Sequence, residues 1–231
     1  MTTMRREPRA PVPWRLLLCG LLLLTSCRIE PLTADPGVEL PVPKGYRFSG
    51  LNDTTVRGIK APLRRQLDAT VPAELNDVLA FYRAELHKRG WQEKPDGAVV
   101  EADRVQITFA SPTGPAVLKL GRKDDSTRIN LVQRNQDAAA EANVMPKSGQ
   151  AKLLFANIGE KEAVLAINEQ TVSEGANDKV VSLDLPPGKY SYELRVPGHP
   201  AQANILTVAA GDAWGLTVGR DGDAWSPLQL Y

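Results

Sequence analysis

The sequence runs to 231 residues, enough for one large domain or two small ones. With 42% hydrophobic, 24% charged and 6% aromatic residues, it fits a folded water-soluble chain and argues against a disordered polymer or a helical membrane bundle. Lysine and arginine total 28 against 27 acidic residues and are scattered, so there is no basic field of the kind that draws nucleic acid.

The chain opens on a secretory pattern: Arg5, Arg6, Arg9 and Arg15, an apolar run over residues 16–24, then Thr25 and Ser26 before Cys27. That run is well short of the roughly 20 residues a membrane-crossing helix needs. The segment Leu24-Thr25-Ser26-Cys27 resembles the lipobox of bacterial lipoproteins. The resemblance implies that residues 1–26 are a signal peptide, that diacylglycerol joins the Cys27 thiol, and that the chain is cut just before it. Palmitate-like chains would then hold the protein on a membrane. Arg28, in place of an aspartate, implies by the same resemblance the outer membrane of a Gram-negative envelope. The mature chain would keep 24 basic and 26 acidic residues and, with Cys19 removed, neither a free thiol nor a disulfide.

Residues 27–45 carry Pro31, Pro36, Pro41 and Pro43 without apolar periodicity and read as an extended tether. At about 3 Å per residue it would reach roughly 50 Å.

Residues 46–135 are expected to form a small α+β domain, one helix on an antiparallel sheet. Pro72 opens the helix, Leu75, Val78, Leu79, Tyr82 and Leu86 give it one apolar stripe, and Gly90 ends it. Strands are predicted over residues 63–71, 91–94, 104–110, 116–120 and 127–133. There Val105, Ile107, Phe109, Ile129 and Leu131 alternate with polar neighbours. Pro95-Asp96-Gly97, Pro112-Thr113-Gly114 and residues 123–126 supply the turns.

Residues 136–149 read as a second linker, within which residues 138–144 could form a helical turn or two. Residues 150–231 read as all-β, with strands over 152–156, 163–168, 180–185, 190–196, 204–208, 213–218 and 227–231. This pattern suggests an immunoglobulin-like sandwich of two sheets. Residues 185–192, Leu-Pro-Pro-Gly-Lys-Tyr-Ser-Tyr, followed by Val196-Pro197-Gly198, resemble the Pro-Gly-Lys-Tyr hairpin of PEGA-like modules of bacterial surface proteins.

Catalytic chemistry has little to work with. His87 suits a helix end and His199 a loop, and no phosphate loop, nucleophile elbow or zinc motif occurs. Asp124-Asp125 and Asp221-Gly222-Asp223 fit turns. No metal, cofactor or enzymatic activity is expected. The binding candidates are the aromatics Tyr190, Tyr192, Trp214 and Trp225, which could stack on sugars or anchor a protein if exposed and otherwise form the core of the sandwich. The sequence therefore reads as a lipid-anchored interaction or scaffolding module with an envelope protein partner, or alternatively a carbohydrate-binding or glycan-processing accessory lipoprotein.

Overall fold

The computed structural model describes residues 31–168, 170–174 and 180–231, and Cys27 with the whole signal region lies outside them. The first half is built on an antiparallel sheet whose central strands alternate as expected. Its strands are β1 (Arg47–Thr54), β2 (Arg64–Val71), β3 (Gln92–Glu93), β4 (Val99–Val100), β5 (Arg104–Ser111), β6 (Gly114–Lys123) and β7 (Ser126–Arg134). They run in the order β1-β2-β7-β6-β5-β3, with β4 pairing β5 at the same edge. Leu67, Ala69 and Val71, then Val105, Ile107 and Phe109, then Leu118 and Leu120, then Ile129 and Leu131 are buried on one face.

Helix α1 (Leu75–Lys88) covers that face with Leu75, Val78, Leu79, Phe81, Tyr82 and Leu86. Its end is decided by Gly90, whose φ of 78° few side chains tolerate. The Gly90 amide donates to the His87 carbonyl at 2.9 Å and the Trp91 amide to that of Leu86 at 3.0 Å. Trp91 and Leu86 then pack in the same core, the apolar contact that accompanies this Schellman closure. At the other end Arg122 grips Glu74 through both carboxylate oxygens, and Thr127 Oγ1 donates to the Ala73 carbonyl at 2.8 Å, tying the helix start to the sheet.

Two segments differ from their expected roles. Residues 31–44 are not wholly an extended tether, because Leu40 and Val42 are buried in the first core and Leu32, Ala34 and Val38 pack against it. The Asp35 amide donates to Val42 and the Lys44 amide to Thr33, closing the segment on itself. The prolines hide this from periodicity. They set extended backbone without excluding burial of the residues between them.

Within residues 136–149, expected as a linker, α2 (Gln136–Glu141) forms. The Asn135 side chain accepts from the Ala138 amide at 3.1 Å as an N-cap. At the far end Asn143 takes φ 55°, its amide donates to Ala140, and the Val144 amide donates to Ala139. This is the same closure as in α1, with asparagine for glycine. Ala138, Ala139 and Val144 are buried.

The second half carries β8 (Ala151–Asn157), β9 (Ala163–Ile167), β10 (Gln170–Glu174), β11 (Val180–Leu185), β12 (Gly188–Arg195), β13 (Gln202–Val208), β14 (Ala213–Val218) and β15 (Leu228–Gln229). They form two four-stranded sheets, β10-β9-β12-β13 and β11-β8-β14-β15, antiparallel except for the parallel pair β8 and β14. Leu153, Phe155, Leu165, Ile167, Tyr192, Leu194, Leu206, Leu216 and Val218 from both sheets share one core. The chain at Pro186-Pro187, expected as a hairpin, passes from one sheet to the other, since β11 pairs β8 while β12 pairs β9 and β13. Among the described residues the chain is mostly β, with one helix longer than two turns.

Leu32–Tyr231 is a single compact unit, and a third cluster joins its two halves: Leu63, Ala138, Ala139, Val144, Ala213 and Tyr231. If residues 32–44 belong to the fold, Leu40→Ala should cost about 2–4 kcal/mol in chemical denaturation. Unchanged stability would return the segment to the status of a tether.

Candidate functional site

The sheet face turned away from α1 carries the alternate residues of each strand, most of them polar. Along β2 these are Arg64, Gln66 and Asp68; along β7, Asn130, Val132 and Arg134; along β6, Pro115, Val117 and Lys119. Where this face meets Asp212 and Gln229 of the second half, a groove of about 360 Å³ opens. Arg64, Gln66, Lys119, Asn130 and Arg134 line it together with Pro115, Val117 and Val132. Its size and its mixture of a small apolar floor with convergent polar groups suit a small-molecule site.

Hydrogen bonds hold most of the polar lining in place. Asp68 accepts from Gln66 Nε2 at 2.6 Å on one oxygen and from Asn130 Nδ2 at 2.8 Å on the other. Asp212 accepts from Arg134 Nη2 at 2.7 Å and Gln229 Nε2 at 3.1 Å on Oδ1, and from the Ala209 amide at 3.1 Å on Oδ2. Arg134 also reaches the Gly211 carbonyl at 3.3 Å, and its guanidinium lies 5.3 Å from the centre of the Tyr231 ring. Both carboxylates are thus taken up by neighbours.

Arg64 is placed differently. It sits directly across the β2–β7 ladder from Arg134, like charge facing like charge. Its Nη2 donates to the Gln66 side-chain oxygen, while its Nε is buried and bonds nothing. Among the described residues no carboxylate lies within ion-pair distance of it, although Asp68 and Asp212 stand nearby. Burial first, and the Arg134 charge second, hold its pKa below the ordinary arginine value.

The aromatic candidates are dispersed. Tyr192 is only 6% exposed and lies between the two sheets, where the alternation of β12 points it. Tyr190, on the same side of β12, is half-buried against that core, with its hydroxyl donating to the Pro186 carbonyl at 2.7 Å. Of the two roles the sequence leaves open for this pair, Tyr192 takes the core one, since a ring enclosed by core side chains has no face left for a ligand, and Tyr190 packs beside it while half-buried. Trp214 is half-buried with an enclosed, unpartnered Nε1, and Trp225, at 56% exposure, is the one open ring of the four.

His87 sits in the last turn of α1, and His199 in a turn where its Nδ1 is 3.6 Å from Asp223 Oδ1. Asp124 and Asp125 form the two-residue turn between β6 and β7. Asp221 and Gly222 border a pocket of about 80 Å³, room for a few waters. No three or more His, Cys, Asp or Glu side chains are grouped for a metal among the described residues.

Sequence reading did not single out Arg64, Arg134 or Asp212. Each looks like an ordinary polar residue at a strand end or turn, and only the closure of the second half on the first brings them together. No protein-family model matches this chain, and no curated protein matches it.

Two measurements check this account. Arg134→Ala and Asp212→Ala should each cost about 2 kcal/mol or more, and the double variant should cost less than their sum by at least about 1 kcal/mol. Strict additivity would mean the pair does not bridge the halves. Separately, Tyr192→Ala should lose about 3–5 kcal/mol and Trp225→Ala less than about 0.5 kcal/mol. Comparable losses at both positions would contradict their assigned burial.

Proposed function

We propose that this chain is an exported lipoprotein of the bacterial envelope, acting there as a non-catalytic interaction module. The observation that carries the reading is the sequence Leu24-Thr25-Ser26-Cys27 at the end of a nine-residue apolar run that follows four arginines. A polar sheet face with a built groove supplies a surface for a partner or ligand. We read the two facing sheets of the second half as an immunoglobulin-like sandwich, with the PEGA-like resemblance resting on residues 185–198.

Packing of Leu32, Ala34 and Val38 onto the first core sharpens the picture. From Cys27 to Leu32 the chain advances five residues, at most about 18 Å when fully extended. An acylated Cys27 would hold the folded unit close to the lipid surface, within reach of other envelope proteins. Two or three acyl chains, at about 0.8 kcal/mol for each buried methylene, make release negligible.

Fractionation and mass analysis of the wild type and Cys27→Ala test this directly. The wild type should appear in the membrane fraction with residues 1–26 gone and a lipid mass on Cys27, and the variant should leave the membrane. An unmodified Cys27 thiol in the natural product would sink the proposal.

A further inference from the structure

We infer that the groove on the open sheet face is a binding site for a small organic anion, with its charged oxygens on Arg64 and its apolar part on Val117, Val132 and Pro115. This goes beyond the envelope reading and does not depend on the lipid anchor.

Charge points to an anion. The groove is lined by three cations, Arg64, Lys119 and Arg134, and one carboxylate, Asp212. Asp212 pairs with Arg134 and accepts from Gln229 and the Ala209 amide, and it forms no ion pair with Arg64 among the described residues. Asp68, just beyond, accepts from the neutral amides of Gln66 and Asn130 and keeps its charge, which favours Arg64 from outside ion-pair distance, so the three cations outnumber the carboxylates by one. Lys119 is exposed and forms no salt bridge among the described residues.

Arg64 has one hydrogen-bond partner, the neutral side chain of Gln66, and a buried, unbonded Nε, and it faces a like charge. Leaving a guanidinium so placed costs stability, because desolvation and repulsion both oppose it. A ligand carboxylate would relieve both at once. A planar guanidinium presents parallel N–H donors that match the two oxygens of a carboxylate, which a lysine ammonium does not.

The apolar floor narrows the class further. Val117 and Val132 face each other across β6 and β7, and Pro115 lies beside Arg134 on the same side of the sheet. They offer a dry patch next to the cation, which inorganic phosphate would not use and an aromatic or short aliphatic acid would. Asn130 and Gln229, already fixed by Asp68 and Asp212, edge the patch with amide groups.

The test uses the purified full chain, with benzoate, benzamide and inorganic phosphate as probes in ligand-observed NMR titrations and thermal unfolding. Benzoate is expected to bind with a millimolar dissociation constant and to raise the unfolding temperature. In Arg64→Met affinity should fall at least about tenfold, equivalent to about 1.4 kcal/mol. Arg64→Met should itself unfold no lower than the wild type, since the substitution removes a half-buried charge that has no ion pair and faces Arg134.

Val132→Glu, which brings a carboxylate onto the floor beside Arg64, gives a second route if Arg64→Met does not fold. It should abolish the benzoate response. The inference is overturned if benzamide binds as well as benzoate, if phosphate binds and benzoate does not, or if benzoate acts equally on the wild type and on the folded variant.

Discussion

The two halves of this protein depend on one joint, the guanidinium of Arg134 at the end of β7. It donates to Asp212 and to the Gly211 carbonyl, and lies against the ring of Tyr231. Both charges are largely enclosed, with side-chain exposures of 23% and 12%, so the pair is shielded from the screening that weakens surface bridges. The Asn135 amide, one residue on, donates to the Leu63 carbonyl, and the Asn135 side chain caps α2. The apolar cluster of Leu63, Ala138, Ala139, Val144, Ala213 and Tyr231 closes around the same joint. Two separate cores are thereby welded into one unit.

The joint also creates the groove. Asp212 reaches Arg134 only because the turn before β14 lies over the end of the first sheet, and this turn walls off one side of an otherwise flat polar surface. The same contact turns Asp212 toward Arg134, leaving Arg64 outside ion-pair distance of it among the described residues. Stability at the joint and an unneutralised arginine beside it are two results of a single arrangement.

Much of the fold could be read from period and punctuation. Val105, Ile107 and Phe109 alternate in sequence and are buried in the structure, and the stripe from Leu75 to Leu86 lies on the core. Gly90 ended the helix as expected because an αL position admits glycine so readily. β1 was missed: Gly50, Asn52 and Asp53 break its pattern, a bulge interrupts it after Phe48, and as an edge strand it buries almost nothing. β10 is likewise a short polar edge. In such strands backbone pairing does the holding, and side-chain pattern carries no trace of it. α2 was read as linker because an alanine-rich run of six residues has no stripe to display, although Asn135 and Asn143 stand at its two ends as caps.

The sequence alone determined helix α1 and the central strands, the turns at Asp124-Asp125 and near Asp221, and the inward and outward faces of those strands, because these follow from interactions among close neighbours in the chain. It also carried the short linear pattern at residues 16–27 on which the proposal of export and lipidation rests. Tertiary structure alone decided which aromatic rings were enclosed, that residues 32–44 belong to the core, and that Arg64, Arg134 and Asp212 share one groove. Arg134 and Asp212 are 78 residues apart, and no periodicity of either half encodes their meeting. Whether a charge is neutralised depends on what the fold brings beside it, and that is a property of the closed structure.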